Sequence, residues 1–135
     1  MSYKIEEIEG ISMVFGEKLR AAGIHSVDAL LEKCASKSGR AAIAKETDIN
    51  EKFILKWTNH ADLFRINGVG PEFSELLEAS GVDTVKELRN RVPANLYAKL
   101  VEVNESKRLV RRLPSEEQVA DMIEQAKKLE PKMTY

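Results

Sequence analysis

The chain has 135 residues, of which 43% are hydrophobic and 32% are charged, and its formal net charge of −1 is unlike the basic balance of a domain that covers many phosphates. Its single cysteine, Cys34, excludes an intrachain disulfide, and with only His25 and His60 beside it a four-ligand zinc site cannot be assembled. Residues 1–7 lack the apolar core of a signal peptide and no run reaches membrane-spanning length, so we expect a cytoplasmic protein with no membrane partner.

Apolar residues at helical spacing and helix-capping residues recur along the whole chain, and no stretch alternates with period two. The predicted helices span residues 4–9, 13–22, 27–33, 40–46, 51–64, 71–80, 85–91, 94–103 and 116–129. The predicted N-caps are Ser26, Asn50, Thr84 and Ser115. Residues 34–39 are predicted to form a loop, residues 104–106 a break between helices, and residues 131–135 a loose tail. The predicted fold class is therefore all-α.

One stretch of the chain occurs twice. Residues 8–24 align without gaps with residues 66–82, at an offset of 58 residues. The identities fall on glycines and apolar residues in the same register, and they include Ile8/Ile66, Gly10/Gly68, Phe15/Phe73, Leu19/Leu77 and Gly23/Gly81. Such matches indicate an internal repeat. We therefore predict a first repeat over residues 1–60 and a second over residues 61–130, joined by the long helix 51–64.

The second copy contains the residues of a tight turn between two helices. Gly68 and Gly70 suit a turn that needs a positive φ or a close approach of the backbone. Pro71 suits the first position of the following helix, where its missing N–H costs nothing. Gly81 is expected to end that helix in a left-handed conformation. This part of the chain is therefore predicted to form two helices joined by a tight hairpin, with the second helix ending at Gly81.

At these residues the chain resembles the helix-hairpin-helix family, whose motif is two short helices joined by a Gly-hydrophobic-Gly hairpin. The residues that carry the resemblance are Gly68, Val69 and Gly70, with Gly10, Ile11 and Ser12 as a degenerate copy. The arrangement is similar to the RNA polymerase alpha C-terminal domain and to DNA-repair domains of this class. Over nearly its full length the chain also resembles a bacterial family of tandem helix-hairpin-helix proteins, carried as a domain of unknown function. The resemblance implies two tandem SAM-like helical repeats. The resemblance to the bacterial family of unknown function implies no established activity.

In the helix-hairpin-helix family, the hairpin's backbone N–H groups and the N-terminus of the next helix hold a DNA phosphate without regard to sequence. Carried over to this chain, the candidate nucleic-acid-binding residues are Gly10, Ile11, Ser12, Lys18, Arg65, Gly68, Val69, Gly70, Lys107, Arg108, Arg111 and Arg112. Two features depart from the family's pattern, acidic residues beside one hairpin and a poorer turn in the other. Glu72, Glu75 and Glu78 follow the second hairpin, and Ser12 replaces the second glycine of the first. The other interpretation is that the hairpins have a structural or protein-facing role.

Two further patterns each have a structural alternative. Residues 39–57 have the spacing of helix, turn and helix that is typical of a helix-turn-helix, in which Lys45, Lys52 and Lys56 would contact a DNA backbone. The same spacing fits a helical hairpin that only packs in the core. The basic cluster in residues 107–112 would grip a phosphate backbone or an acidic partner helix. Alternatively, that cluster is a solvated surface balanced by neighbouring glutamates.

The sequence contains no Walker loop, no paired-carboxylate signature and no nucleophile elbow, so we predict no enzymatic activity, no cofactor and no metal. The leading hypothesis is a non-enzymatic helical binding module, an adaptor or scaffold that binds a protein partner or itself through exposed helix faces. The alternative is a protein that binds DNA weakly and without sequence preference, through contacts of the hairpins with backbone phosphates.

Overall fold

The computed structural model describes residues 3–135, and within that range every regular element is helical. A 3₁₀ helix at Ile5–Glu7 precedes eight α-helices, which are α1 (Met13–Ala21), α2 (Val27–Cys34), α3 (Lys37–Thr47), α4 (Glu51–Leu63), α5 (Pro71–Ala79), α6 (Val85–Leu88), α7 (Pro93–Lys107) and α8 (Glu116–Lys128). The prediction of an all-α fold is therefore confirmed. None of these helices is both long enough and apolar enough to cross a membrane.

The chain divides into two compact units. Unit 1 comprises Met1–Asp62 and Lys132–Tyr135, and unit 2 comprises Leu63–Pro131. The boundary between Asp62 and Leu63 falls at the end of α4. The division shows that the chain has two compact parts, and it does not compare their folds. The repeats expected at residues 1–60 and 61–130 therefore stay a prediction.

The core of unit 1 is built from apolar side chains of its helices and of the chain between them. Its fully buried members include Ile5, Ile8, Leu19, Ile24, Leu30 and Ile54. Trp57 is also buried, and its ring centroid lies 5.2 Å from that of Phe15 and 6.0 Å from that of Phe53. Phe53 has the spacing of a core residue, yet it is 45% exposed. The three packed rings of Phe15, Phe53 and Trp57 therefore extend from the core of unit 1 to its surface.

The core of unit 2 joins the segment around the second hairpin to the helices that follow it. Its buried members are Leu63, Ile66, Val69, Leu76, Leu77, Val82, Val85, Leu88, Leu96, Leu100, Val103, Val119, Met122, Ile123 and Ala126. Phe73 and Leu113 pack against this cluster and remain partly exposed. Burial of one such side chain contributes about 1.5–3 kcal/mol, so Ile66 and Val69 hold the hairpin firmly in the core.

Several helix ends follow from local chemistry that the sequence shows. The hydroxyls of Ser26, Thr84 and Ser115 each accept a hydrogen bond from the amide three residues on, at 3.1, 3.3 and 3.1 Å. After α1 and α5, Gly23 and Gly81 have φ angles of 88° and 91°. Both positions therefore end their helices in the left-handed conformation that glycine adopts at no steric cost.

Of two predicted interruptions, one is shorter than expected and the other is helical throughout. Residues 34–39 were expected to form a loop, but α3 begins at Lys37, because the Ser36 hydroxyl accepts a hydrogen bond from the amide of Gly39 at 3.1 Å. Residues 104–106 were expected to break a helix, but α7 continues to Lys107. Asn104 does not turn the chain there, because its side chain pairs with the backbone of Val110, beyond the end of the helix.

Residues 131–135 do not form a loose tail. Thr134 donates its amide to the carbonyl of Ala35 at 2.9 Å, and its own carbonyl accepts a hydrogen bond from Arg40 Nη2 at 2.7 Å. Met133 is buried. The prediction was wrong because Arg40 lies 94 residues earlier in the chain, where no local pattern connects it with the tail.

One ion pair in unit 1 predicts a dependence of stability on acid. Arg20 donates to the Glu6 carboxylate, and this hydrogen bond lowers the pKa of Glu6 below its usual 4.5. A lowered pKa stabilises the fold above pH 4.5, and that contribution is lost as the pH falls through the lower, folded-state value. We therefore expect the melting temperature of the Glu6→Gln variant to fall less than that of the wild type between neutral and acid pH. Thermal unfolding monitored by circular dichroism measures this difference.

The matched control for this experiment is Glu9→Gln, which removes an exposed carboxylate that makes no ion pair within residues 3–135. If Glu6→Gln and the wild type lose melting temperature in parallel on acidification, the ion pair does not contribute to stability.

Candidate functional site

The second hairpin, between α4 and α5, is held in place by its own backbone and by α8. Gly68 has a φ of 97°, and Val69 donates its amide to the carbonyl of Ile66 at 3.1 Å. The Gln125 side chain accepts from the amide of Asn67 at 2.9 Å and donates to its carbonyl at 3.3 Å. Val69 is buried, so only the flanking glycines of the predicted triplet are available to a ligand.

The two glycines of this hairpin have different structural roles. A Cβ on Gly68 would lie 3.2 Å from Cε of Met122, and the positive φ there disfavours any other residue. Gly70 has an extended φ of −118°, and a Cβ on it would have no atom within 4 Å. The fold therefore requires glycine at position 68 and leaves open space beside position 70.

A cleft of about 1410 Å³ lies between this hairpin and the connector from α7 to α8, and we call it the hairpin cleft. Its lining consists of Asn67, Gly68, Gly70, Pro71, Glu72, Phe73, Val110, Arg111, Arg112, Leu113, Pro114, Ser115, Glu117, Gln118, Asp121 and Met122. All of these residues belong to unit 2. The structure thus brings together two groups that are far apart in the sequence, the second hairpin and the arginine-containing connector.

Charges of both signs line the hairpin cleft. The lining contains Arg111 and Arg112 together with three carboxylates, those of Glu72, Glu117 and Asp121, which gives it a formal balance of −1. Asp121 accepts a hydrogen bond from Gln125 at 3.0 Å. Within residues 3–135, neither arginine forms an ion pair. These charges are therefore available to a ligand, and a polyanion would be attracted by some of them and repelled by others.

The basic cluster of the connector is divided between two surfaces. Arg108 has a left-handed φ of 51° and lines a smaller cleft of about 590 Å³, together with Asn104 and Glu105. Arg111 lines both clefts, Arg112 only the hairpin cleft, and Lys107 neither of them. Of the four residues that the sequence groups together, three therefore line a cleft, and Arg111 is common to both clefts.

Sequence reasoning missed the α8 side of the hairpin cleft. Glu117 and Asp121 are four residues apart on one helix, a spacing that puts them on the same face. Met122 supplies an apolar part of the lining. No local signal connects these residues with a hairpin about fifty positions earlier, because the approach is made by packing in the core of unit 2.

The first hairpin, in unit 1, is poorly equipped for a phosphate. Gly10 has a φ of 95°, and a Cβ there would lie 3.2 Å from Nε1 of Trp57. Ile11 is buried, and the Ser12 hydroxyl accepts from the amide of Phe15 at 3.3 Å, which occupies an N–H group that a phosphate would use. The next two residues, Met13 and Val14, are 74% and 64% exposed. This hairpin therefore presents apolar side chains beside its turn.

The remaining cationic candidates are absent from the lining of the hairpin cleft. Lys18 is an exposed residue of α1. Arg65 is absent from the lining of the hairpin cleft, and its Nη2 donates to the carbonyl of Glu130 at 2.7 Å. In the segment that resembles a helix-turn-helix, the Asn50 side chain accepts from the amide of Lys52 at 2.9 Å. The predicted capping role of Asn50 is therefore confirmed, and its side-chain oxygen is already used within the protein.

The cysteine and the two histidines are absent from the lining of the hairpin cleft. Cys34 is fully buried, and this burial raises the pKa of its thiol to about 11. A thiol with that pKa stays protonated at neutral pH and is a poor nucleophile. His25 is exposed, whereas His60 is fully buried.

Comparison with known proteins identifies one family. The family model described as "Domain of unknown function (DUF4332)" matches residues 9–129, which include both hairpins and the whole lining of the hairpin cleft. No curated protein and no solved structure matches the chain.

Proposed function

The chain belongs to the family described as "Domain of unknown function (DUF4332)", and we propose that it is a non-enzymatic protein-interaction module that receives a segment of a protein partner in the hairpin cleft. The observation that carries the proposal is the composition of this cleft, in which apolar side chains lie among charges of both signs. Protein surfaces that bind other proteins combine an apolar centre with polar and charged neighbours. Phe73, Leu113 and Met122 are among the apolar residues of the lining.

The size of the hairpin cleft also favours a peptide segment over a small molecule. Small-molecule sites have volumes of roughly 300–1,000 Å³. The hairpin cleft has about 1410 Å³ and is open to solvent. A segment of a partner protein fills such a space with several consecutive side chains.

We also propose that the two units are helix-hairpin-helix repeats of the SAM-like type. Support comes from backbone conformations that recur at the offset of the sequence repeat. Gly10 and Gly68 have φ angles of 95° and 97°, and Gly23 and Gly81 have φ angles of 88° and 91°. Equal conformations at equivalent glycines are expected of two copies of one motif.

A second candidate function, binding of a nucleic-acid backbone, is favoured by one specific observation. Gly68 and Gly70 line the same cleft as Arg111 and Arg112, and α5 begins there without a side-chain cap. Uncapped amides and nearby arginines attract a phosphate. The three carboxylates of the lining oppose this function, because they repel the same anion. We therefore place it second.

Peptide selection tests the proposed function. A random-peptide display library is selected on the immobilised full chain, and the enriched peptides are measured by fluorescence anisotropy against wild type and Gly70→Trp. The substituted side chain enters the open space beside position 70 and blocks the cleft without straining the backbone. We expect the enriched peptides to bind the wild type and to lose at least about tenfold in affinity for Gly70→Trp, which corresponds to 1.4 kcal/mol.

The same anisotropy assay with duplex, single-stranded and four-way-junction DNA decides between the two functions. Binding that weakens steeply with salt and is lost in the Arg111→Glu/Arg112→Glu double variant would establish a phosphate site. If this occurs while no peptide depends on the cleft, the protein-interaction function is wrong.

A further inference from the structure

The charges of the hairpin cleft have an arrangement that specifies the chemistry of its occupant. The positive groups, Arg111 and Arg112, come from the connector, and they are exposed. The negative groups come from two helices, Glu72 from the first turn of α5 and Glu117 and Asp121 from the first two turns of α8. Within residues 3–135, neither Glu72 nor Glu117 forms an ion pair with an arginine of the lining. Opposite charges thus line one space without neutralising each other.

We infer that the occupant is a segment of a partner protein in which an apolar residue is flanked by one acidic and one basic residue. This inference rests on the proposed function and names the chemistry of the partner. The acidic residue is received by Arg111 and Arg112, since guanidinium groups bind carboxylates with two parallel hydrogen bonds. The basic residue is received by Glu117 and Asp121, which share one face of α8. The apolar residue contacts Phe73, Leu113 and Met122.

A segment of this kind fits the cleft better than a chain with charges of one sign. An acidic segment would be attracted by the two arginines and repelled by the three carboxylates. A basic segment would be attracted by the carboxylates and repelled by the arginines. A segment that carries both charges is attracted by the arginines through its acidic residue and by the carboxylates through its basic residue. Complementary charges of this type mainly determine which partner is accepted and in which register it binds.

The cleft is also held ready for a partner. The hairpin side is fixed by the bonds between Asn67 and Gln125 and by burial of Val69 in the core. The connector side is fixed by the pair of bonds between Asn104 and Val110, at 3.0 and 3.1 Å. Preorganised walls reduce the entropy that binding has to offset.

Charge reversal on each side of the cleft tests the inference. The same random-peptide library is selected in parallel on wild type, on Arg111→Glu/Arg112→Glu and on Glu117→Lys/Asp121→Lys, and the enriched peptides are sequenced. We expect peptides from the wild type to combine an acidic, an apolar and a basic residue. The arginine variant should lose the preference for the acidic residue and the α8 variant the preference for the basic one, each with a loss of about tenfold in affinity for wild-type peptides.

The matched control is Lys86→Glu, which reverses an exposed charge in unit 2 outside both clefts. It should leave peptide preference and affinity unchanged, and circular dichroism checks that every variant is folded. Wild-type peptides that are uncharged or carry one sign of charge, yet still depend on Gly70, would overturn this inference and leave the proposed function standing. Peptides unaffected by Gly70→Trp would overturn both.

Discussion

Arg40→Met should lower the free energy of unfolding by about 2–4 kcal/mol, because it removes three hydrogen bonds from a charged donor, one of them to the buried carbonyl of Cys34. Arg40 is only 3% exposed. Its Nη1 donates to the carbonyls of Cys34 and Ala35, both at 3.0 Å, and its Nη2 donates to the carbonyl of Thr134 at 2.7 Å. A methionine fills a similar volume and donates none of these bonds.

Arg40 joins the end of α2 to the last residues of unit 1. Its guanidinium carbon lies 5.5 Å from the centroid of the Tyr135 ring, within the range of a cation–π interaction. Thr134 adds the bond from its amide to the carbonyl of Ala35. A variant lacking residues 132–135 should therefore lose stability as well. Its effect and that of Arg40→Met should add only in part, since both remove the contacts of Arg40 with Thr134 and Tyr135.

Urea unfolding followed by tryptophan fluorescence measures both effects. Trp57 is the only tryptophan of the chain and is buried in unit 1, so its emission reports the unit that Arg40 stabilises. The matched control is Lys45→Met, which removes an exposed cation from the same helix and should change the free energy of unfolding by less than about 0.5 kcal/mol. Additive losses from Arg40→Met and the truncation would show that the arginine does not act through the tail.

The sequence predicts the parts of the fold that depend on local chemistry. Ser26, Thr84 and Ser115 cap helices where they were expected to, because an N-cap acts on an amide only three residues away. Gly23 and Gly81 end helices for an equally local reason, the left-handed backbone that glycine allows. The fold class follows from the same short-range patterns.

The parts that could not be predicted depend on contacts between distant residues. Thr134 is ordered by Arg40, and the hairpin around Asn67 is fastened by Gln125, which lies 58 residues later. The hairpin cleft has the same origin, because its lining combines Pro71 with Arg112 and Asp121. Glycines at turns could be recognised from the sequence, but the residues opposite them depend on how the core of unit 2 packs.

Gly39 illustrates this difference between local and distant effects, and it gives the second large prediction. Gly39 lies in the first turn of α3, where helix propensity alone predicts that an alanine would stabilise the protein by about 0.5–1 kcal/mol. In the folded protein, however, a Cβ on Gly39 would overlap the backbone carbonyl oxygen of Lys33 at the end of α2. It would also lie 3.1 Å from the Ser36 hydroxyl that caps α3.

We therefore expect Gly39→Ala to destabilise the protein by about 2 kcal/mol, because a backbone atom cannot move aside as a flexible side chain can and α2 must shift away from α3. Gly70→Ala is the matched control, since its Cβ enters open space at an extended φ, and its effect should stay within about 1 kcal/mol of zero, because the lower entropy of the unfolded chain offsets the weaker N-cap of α5. Urea unfolding monitored by circular dichroism compares the two variants on one scale. A stabilising effect of Gly39→Ala would mean that α2 and α3 do not make this close contact in solution.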